Sequence, residues 1–150
     1  MLPRLRTLIG SAAACLLLWS ARADAQLHFV TYTGGFTSSE TACDTLCTGG
    51  PLTGGLAGTL AWRMSTIENT SDPDVVKLTG VDTITTATGT LTIPDVTFWN
   101  LATGDFVDAG VVQSGTGAFA GAHGTLVIQG GFDPVAGQGT SNYVALLTLP

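Results

Sequence analysis

The sequence predicts an all-β domain, a small antiparallel barrel of about eight strands preceded by a signal peptide, with a β-sandwich as the alternative architecture. Three observations predict it. Glycine accounts for 20 of 150 residues, threonine recurs throughout, and charged side chains make up only 11%, a composition suited to short strands and tight turns. No stretch longer than a turn repeats apolar residues at helical spacing. Residues 59–67 instead alternate, with Leu60, Trp62 and Met64 on one face and Thr59, Arg63 and Ser65 on the other. A period of two means that one face is buried.

The first element is a leader. Arg4 and Arg6 precede an apolar run over 8–19, and Ala21-Arg22-Ala23-Asp24-Ala25-Gln26 places small residues at the spacing of a peptidase site, the layout of a secretory signal. The run, about a dozen residues long, is too short to cross a ~30 Å hydrocarbon core as a helix. Cys15 lies inside it, and Leu16-Leu17-Leu18-Trp19 continue past it, so a lipoprotein cut is not expected. The expectation is a signal peptide over 1–25 and one domain over 26–150, exported to the periplasm or beyond, with no membrane contact after cleavage. The remaining chain sets ten acidic side chains against Arg63 and Lys77 alone, a formal charge of about −8. Nucleic acid and anionic lipid are poor partners for such a surface. We read the acidity as keeping an exported protein soluble, in preference to a cationic ligand.

Strands are expected over 27–33, 59–67, 75–79, 82–86, 90–93, 96–100, 106–113, 125–129 and 142–149. Turn signals separate them at Thr33-Gly34-Gly35, Gly49-Gly50-Pro51, Ser71-Asp72-Pro73, Thr103-Gly104-Asp105, Gly130-Gly131 and Asp133-Pro134, each combining residues that favour sharp reversals. The polar stretch 69–74 reads as a surface loop, and Asn69-Thr70-Ser71 fits a glycosylation sequon. Cys43 and Cys47 are expected to form a disulfide closing a short loop, with a correspondingly small entropic contribution. Their spacing is not that of a C-x-x-C redox pair, and histidines and cysteines together are too few for a zinc site. No metal and no cofactor are expected.

Chemistry-bearing patterns are sparse. There is no Walker loop and no Gly-x-Ser-x-Gly elbow, and the glycines of 115–121 lack dinucleotide spacing. His28 and His123, the two histidines, sit at strand or turn edges. Glu68 is the candidate catalytic carboxylate: one residue beyond the 59–67 strand, it falls in phase with Leu60, Trp62 and Met64, where burial would raise its pKa and make it an acid or base. Trp62, Phe98, Trp99 and Phe119 are the candidate ligand-binding aromatics. Phe98 and Trp99 are neighbours in a strand, so one of them must face away from the core and can mark a partner surface.

The segment 110–124, from Gly110-Val111-Val112-Gln113-Ser114 through Gly115-Thr116-Gly117-Ala118-Phe119 to Ala120-Gly121-Ala122-His123-Gly124, resembles the signature of the dirigent and allene oxide cyclase barrel superfamily. There a strand runs into a Gly-Gly-Thr-Gly-x-Phe turn, followed by Ala-x-Gly and the next strand. Ser114 takes the place of the first glycine; Gly115, Thr116, Gly117, Phe119, Ala122 and Gly124 fit, as does Thr103-Gly104-Asp105-Phe106-Val107-Asp108 upstream. The likeness covers the last third of the chain and matches none of the family's pocket residues. It implies a barrel and, for activity, a cofactor-free cyclase or isomerase that positions an apolar substrate. As architecture, Gly115 and Gly117 supply backbone angles closed to residues with a Cβ, and Phe119 can plug one end of the core. The residues as a whole predict a non-catalytic binding or structural protein with an apolar interior, taking a small apolar ligand or a protein partner, with the cyclase or isomerase as the alternative.

Overall fold

The computed structural model describes residues 28–150; the expected leader and its cleavage site lie outside the described residues. Nine strands follow one another: β1 (His28–Glu40), β2 (Cys47–Leu52), β3 (Gly58–Asn69), β4 (Val75–Thr86), β5 (Thr90–Asn100), β6 (Asp105–Val111), β7 (Ser114–Gly115), β8 (His123–Asp133) and β9 (Gln138–Leu149). All but β7 form one closed antiparallel barrel of eight strands in up-and-down order, β6 passing directly to β8 and β9 closing on β1. The two-residue β7 is an extra strand that pairs with β5 past the end of β6. Closure leaves none of the eight with an unpaired edge.

Alternation decides what fills the interior. Val76, Leu78 and Ile84 of β4, Leu91 and Ile93 of β5, Leu126 and Ile128 of β8, and Tyr143, Ala145 and Leu147 of β9 are all buried and belong to one core, each set in phase along its strand as the pleat requires.

The strands run longer than the residue pattern predicts. Expected strands 75–79 and 82–86 join through Gly80 into β4, and 90–93 joins 96–100 through the outward-facing Pro94 into β5. The glycine pairs expected as turns at 33–35, 49–51 and 130–131 lie inside β1, β2 and β8. The cause is packing. A Cβ on Gly34 would strike the Thr53 carbonyl and come within 2.7 Å of the Tyr143 hydroxyl, and one on Gly50 would strike the Thr37 carbonyl. These glycines make room for a neighbour; they do not reverse the chain.

The two barrel ends differ. At one, the short 3-10 turns Gly54–Leu56 and Gly117–Phe119 fold inward and bury Leu56 and Phe119. Tyr143 ties this end down: its hydroxyl accepts from the Leu56 N–H at 2.8 Å and donates to the Thr53 carbonyl at 2.8 Å. Phe119 meets Tyr32 edge to face with ring centroids 6.4 Å apart. The other end lies among the loops 41–46, 70–74, 101–104 and 134–137. The Cys43–Cys47 disulfide, with Cα atoms 6.1 Å apart, staples the first of them.

Candidate functional site

Three neighbouring strands each turn one aspartate inward. Asp82 shares the phase of Leu78 and Ile84 on β4, Asp95 that of Ile93 and Thr97 on β5, and Asp108 that of Gly110 on β6. Register then brings them together. Asp95 lies opposite Gly80 on one side and Gly110 on the other, Thr97 opposite Asp108, and Trp62 of β3 opposite Asp82. All three carboxyls are buried, with oxygens within 4.8 Å of one another.

Gly80 and Gly110 leave the space this arrangement needs. A Cβ on Gly80 would come within 2.6 Å of Trp62 Cε2, and one on Gly110 within 2.6 Å of Ile93 Cγ2. Without the former, the Trp62 indole lies across β4 and its Nε1–H reaches both oxygens of Asp95, at 3.1 and 3.2 Å. Thr97 Oγ1 donates to Asp108 Oδ2 at 3.2 Å. Asp82 differs from both: its Oδ2 is buried with no hydrogen-bond partner.

No cation balances these groups. Among the described residues Arg63, His28 and His123 are exposed, and Lys77 pairs with Glu68 at 3.0 Å on the outside. Burial therefore pushes the Asp82 carboxyl well above its ordinary range, and the nearby Asp108 and Asp95 charges push it further. Asp108 rises to about 7, by burial and then by the Asp95 charge, against the opposing Thr97 hydrogen bond. Asp95 is raised by burial and partly restored by the Trp62 indole and by backbone hydrogen bonds at Asp82 and Gly80. Carboxyls that titrate this high can hold protons, donate hydrogen bonds or bind a cation near neutral pH.

Asp82 and Asp108 form part of the wall of a cavity of about 70 Å³ toward the open end, otherwise lined chiefly by Phe36, Trp62, Trp99, Phe106, Phe132 and neighbouring aliphatic side chains. Trp99 stacks edge to face on Phe132 with centroids 5.9 Å apart and donates through Nε1 to the Gly104 carbonyl at 3.2 Å, which ties the loop 101–104 to the rim. Ser38 and Phe132 also line a wider, more polar groove of about 810 Å³ bounded by Leu101, Pro134 and Val135, so the cavity adjoins an outer vestibule.

The aromatic candidates separate. Trp62 and Trp99 line the cavity; Phe119 lies at the closed end and does not. Phe98 is the outward member of its pair, 49% exposed and opposite Val107. With Val127, Val144 and Leu146 these two leave apolar side chains on the outer face of β5, β6, β8 and β9. Gly115, Thr116, Gly117 and Gly124 gather at the closed end. Gly117 at φ +58° and Gly124 at φ +145° adopt angles that favour glycine, and Thr116 Oγ1 accepts from the Thr90 N–H at 3.1 Å.

Glu68 does not point inward. A bulge between Met64 and Thr66 inserts one residue into β3 and reverses the phase beyond it, as any one-residue slip must. Glu68 therefore stands on the outer face opposite Lys77.

The aspartate cluster does not emerge from the sequence reading: Asp82 opens expected strand 82–86 and Asp108 lies inside 106–113, but Asp95 falls in the gap between 90–93 and 96–100. The signal was present: each aspartate stands two residues from an inward neighbour on an otherwise apolar face. Compared with protein-family models, curated proteins and solved structures, the chain finds no match.

Proposed function

We propose that this barrel binds a small, largely apolar molecule in the aromatic cavity at its open end, with Asp82 and Asp108 anchoring the molecule's one polar group. The observation that carries the reading is the pairing of an aromatic wall with two buried carboxyls on one cavity, the form that small-molecule sites commonly take. At ~10–15 Å³ of accessible volume per water, the cavity of about 70 Å³ holds about five waters, less than half the ~150 Å³ that admits benzene, so a ring would seat there in part and extend into the adjoining groove. The preferred ligand is thus a single-ring compound with a hydroxyl or carbonyl, and no cofactor is needed for binding alone.

Trp62 and Trp99, the two tryptophans of the described domain, both line the cavity, so their indole N–H resonances report on it directly. Titration with benzyl alcohol should shift both signals saturably in the millimolar range, where fragment affinities fall. Two static resonances at ~10 mM probe would defeat the reading. Native mass spectrometry of protein from its own host would identify a retained ligand.

A second reading, the cofactor-free cyclase or isomerase of the dirigent and allene oxide cyclase resemblance, is favoured by a carboxyl raised to about 7 on the cavity wall, since proton transfer is most efficient near the working pH. It moves the acid–base role from Glu68 to Asp108. Asp108→Asn should then abolish turnover of an unsaturated epoxide while Glu68→Gln leaves it unchanged; turnover retained in Asp108→Asn removes this reading.

A further inference from the structure

We infer that Asp82, Asp95 and Asp108 form a site for one hard divalent cation, calcium in preference to magnesium, seated between β4, β5 and β6 beside the aromatic cavity. The inference goes beyond the ligand reading and does not depend on it, since a cation site stands whether or not an organic molecule enters the cavity.

Three features converge on it. First, three carboxyls share one buried spot with no lysine, arginine or histidine facing them among the described residues. Such a concentration of acidic groups calls for protons or a metal to neutralise it. Second, two of the three are held by donors of their own, Asp95 by the Trp62 indole and Asp108 by the Thr97 hydroxyl. Outer partners of this kind fix ligating carboxylates in metal sites. Third, Asp82 Oδ2 is buried with no donor in reach, and its residue lines the cavity. Among the described residues this is an acceptor that no protein group satisfies, beside a cavity that an ion and its waters can occupy.

The donor set selects the metal. All candidate ligands are oxygen, with no histidine or cysteine in the cluster, which favours calcium, magnesium or manganese over zinc or copper. The oxygens all lie within 4.8 Å of one another, close enough to share one ion, and calcium's adaptable coordination at ~2.3–2.6 Å accepts such a set more readily than the near-ideal octahedron magnesium demands at ~2.0–2.1 Å. Three carboxyls leave several coordination positions open, and the cavity supplies room for water to fill them.

The test uses terbium as the probe, because Trp62 lies against Asp95 and can sensitise its emission. Metal-stripped protein is titrated with terbium under tryptophan excitation, then with calcium and magnesium as competitors. The expected result is saturable emission at one equivalent, displaced by calcium at concentrations at least tenfold below magnesium, together with a calcium-dependent rise in melting temperature. Asp82→Asn, close in shape to the native residue, should weaken terbium binding at least tenfold, and Asp108→Asn should do likewise. Asp72→Asn, in an exposed loop, should leave it unchanged and so controls for diffuse attraction to an acidic surface. The inference is overturned if emission does not saturate near one equivalent, if Asp82→Asn and Asp108→Asn bind as tightly as the parent, or if Asp72→Asn loses as much. If either cluster variant fails to fold by circular dichroism, the calcium-dependent melting shift of the unaltered protein decides, and its absence at millimolar calcium sinks the proposal.

Discussion

Replacing Asp108 by asparagine should make the metal-free protein more stable at pH 8 and flatten its pH profile. The Asp108 carboxyl, ordinarily at 3.8, sits at about 7 in the folded barrel because burial and the Asp95 charge oppose its ionisation. A folded-state value above the unfolded one means that the folded protein holds the proton more tightly. The resulting stabilisation is complete below pH ~4 and is lost as the pH rises through about 7. A gap of about 3 pH units at ~1.4 kcal/mol each gives a decline of about 4 kcal/mol between pH 4 and pH 8. Asp82 and Asp95, both raised, act in the same direction. The variant keeps a side-chain oxygen to accept from Thr97 and removes the charge, so its stability should fall far less over that range. Urea unfolding in metal-stripped buffer from pH 4.5 to 8.5 reads both profiles. Stability of the unaltered protein that stays flat or climbs across this range, or two parallel curves, would refute the reasoning.

Gly80→Ala places a methyl 2.6 Å from Trp62 Cε2 and should drive the indole off Asp95, costing roughly 1–3 kcal/mol in urea unfolding and shifting tryptophan emission. Tyr143→Phe strips the Leu56 N–H and the Thr53 carbonyl of their shared partner and should cost about 1–3 kcal/mol, with faster amide exchange at Leu56 as its local signature. Phe119→Ala opens the closed end and should cost about 3–5 kcal/mol, while benzyl alcohol binding at the opposite end persists in the folded fraction. Glu68→Gln breaks one exposed ion pair and should change stability by less than ~1 kcal/mol.

The departures from the sequence-based expectation have two origins. Gly34 and Gly50 are expected at chain reversals, a common role of glycine, and Gly80 in a gap between two strands, but all three lie within strands because a carbonyl or an indole from a neighbouring segment occupies the place of a side chain. The gap expected at Pro94-Asp95 hides the phase that makes Asp95 an inward residue, and the gap at Gly80 separates Asp82 from Val76 and Leu78 on the same face. The bulge at Met64/Thr66 had the opposite effect on Glu68, which keeps the right phase in the sequence and loses it in the sheet. Neither the space beside a glycine nor the insertion of a bulge is a local property of the chain.

What the sequence determined by itself was the all-β class and the approximate strand number, because alternation along a strand is written residue by residue and any burial of one face follows from it. Cross-strand register was decided only by the tertiary structure. It set Gly80 and Gly110 either side of Asp95, Thr97 beside Asp108 and Trp62 opposite Asp82, turning aspartates separated by a dozen residues each into a single buried cluster. Pairing partners lie far apart along the chain and are selected by the closure of the whole barrel, so no window of sequence contains them.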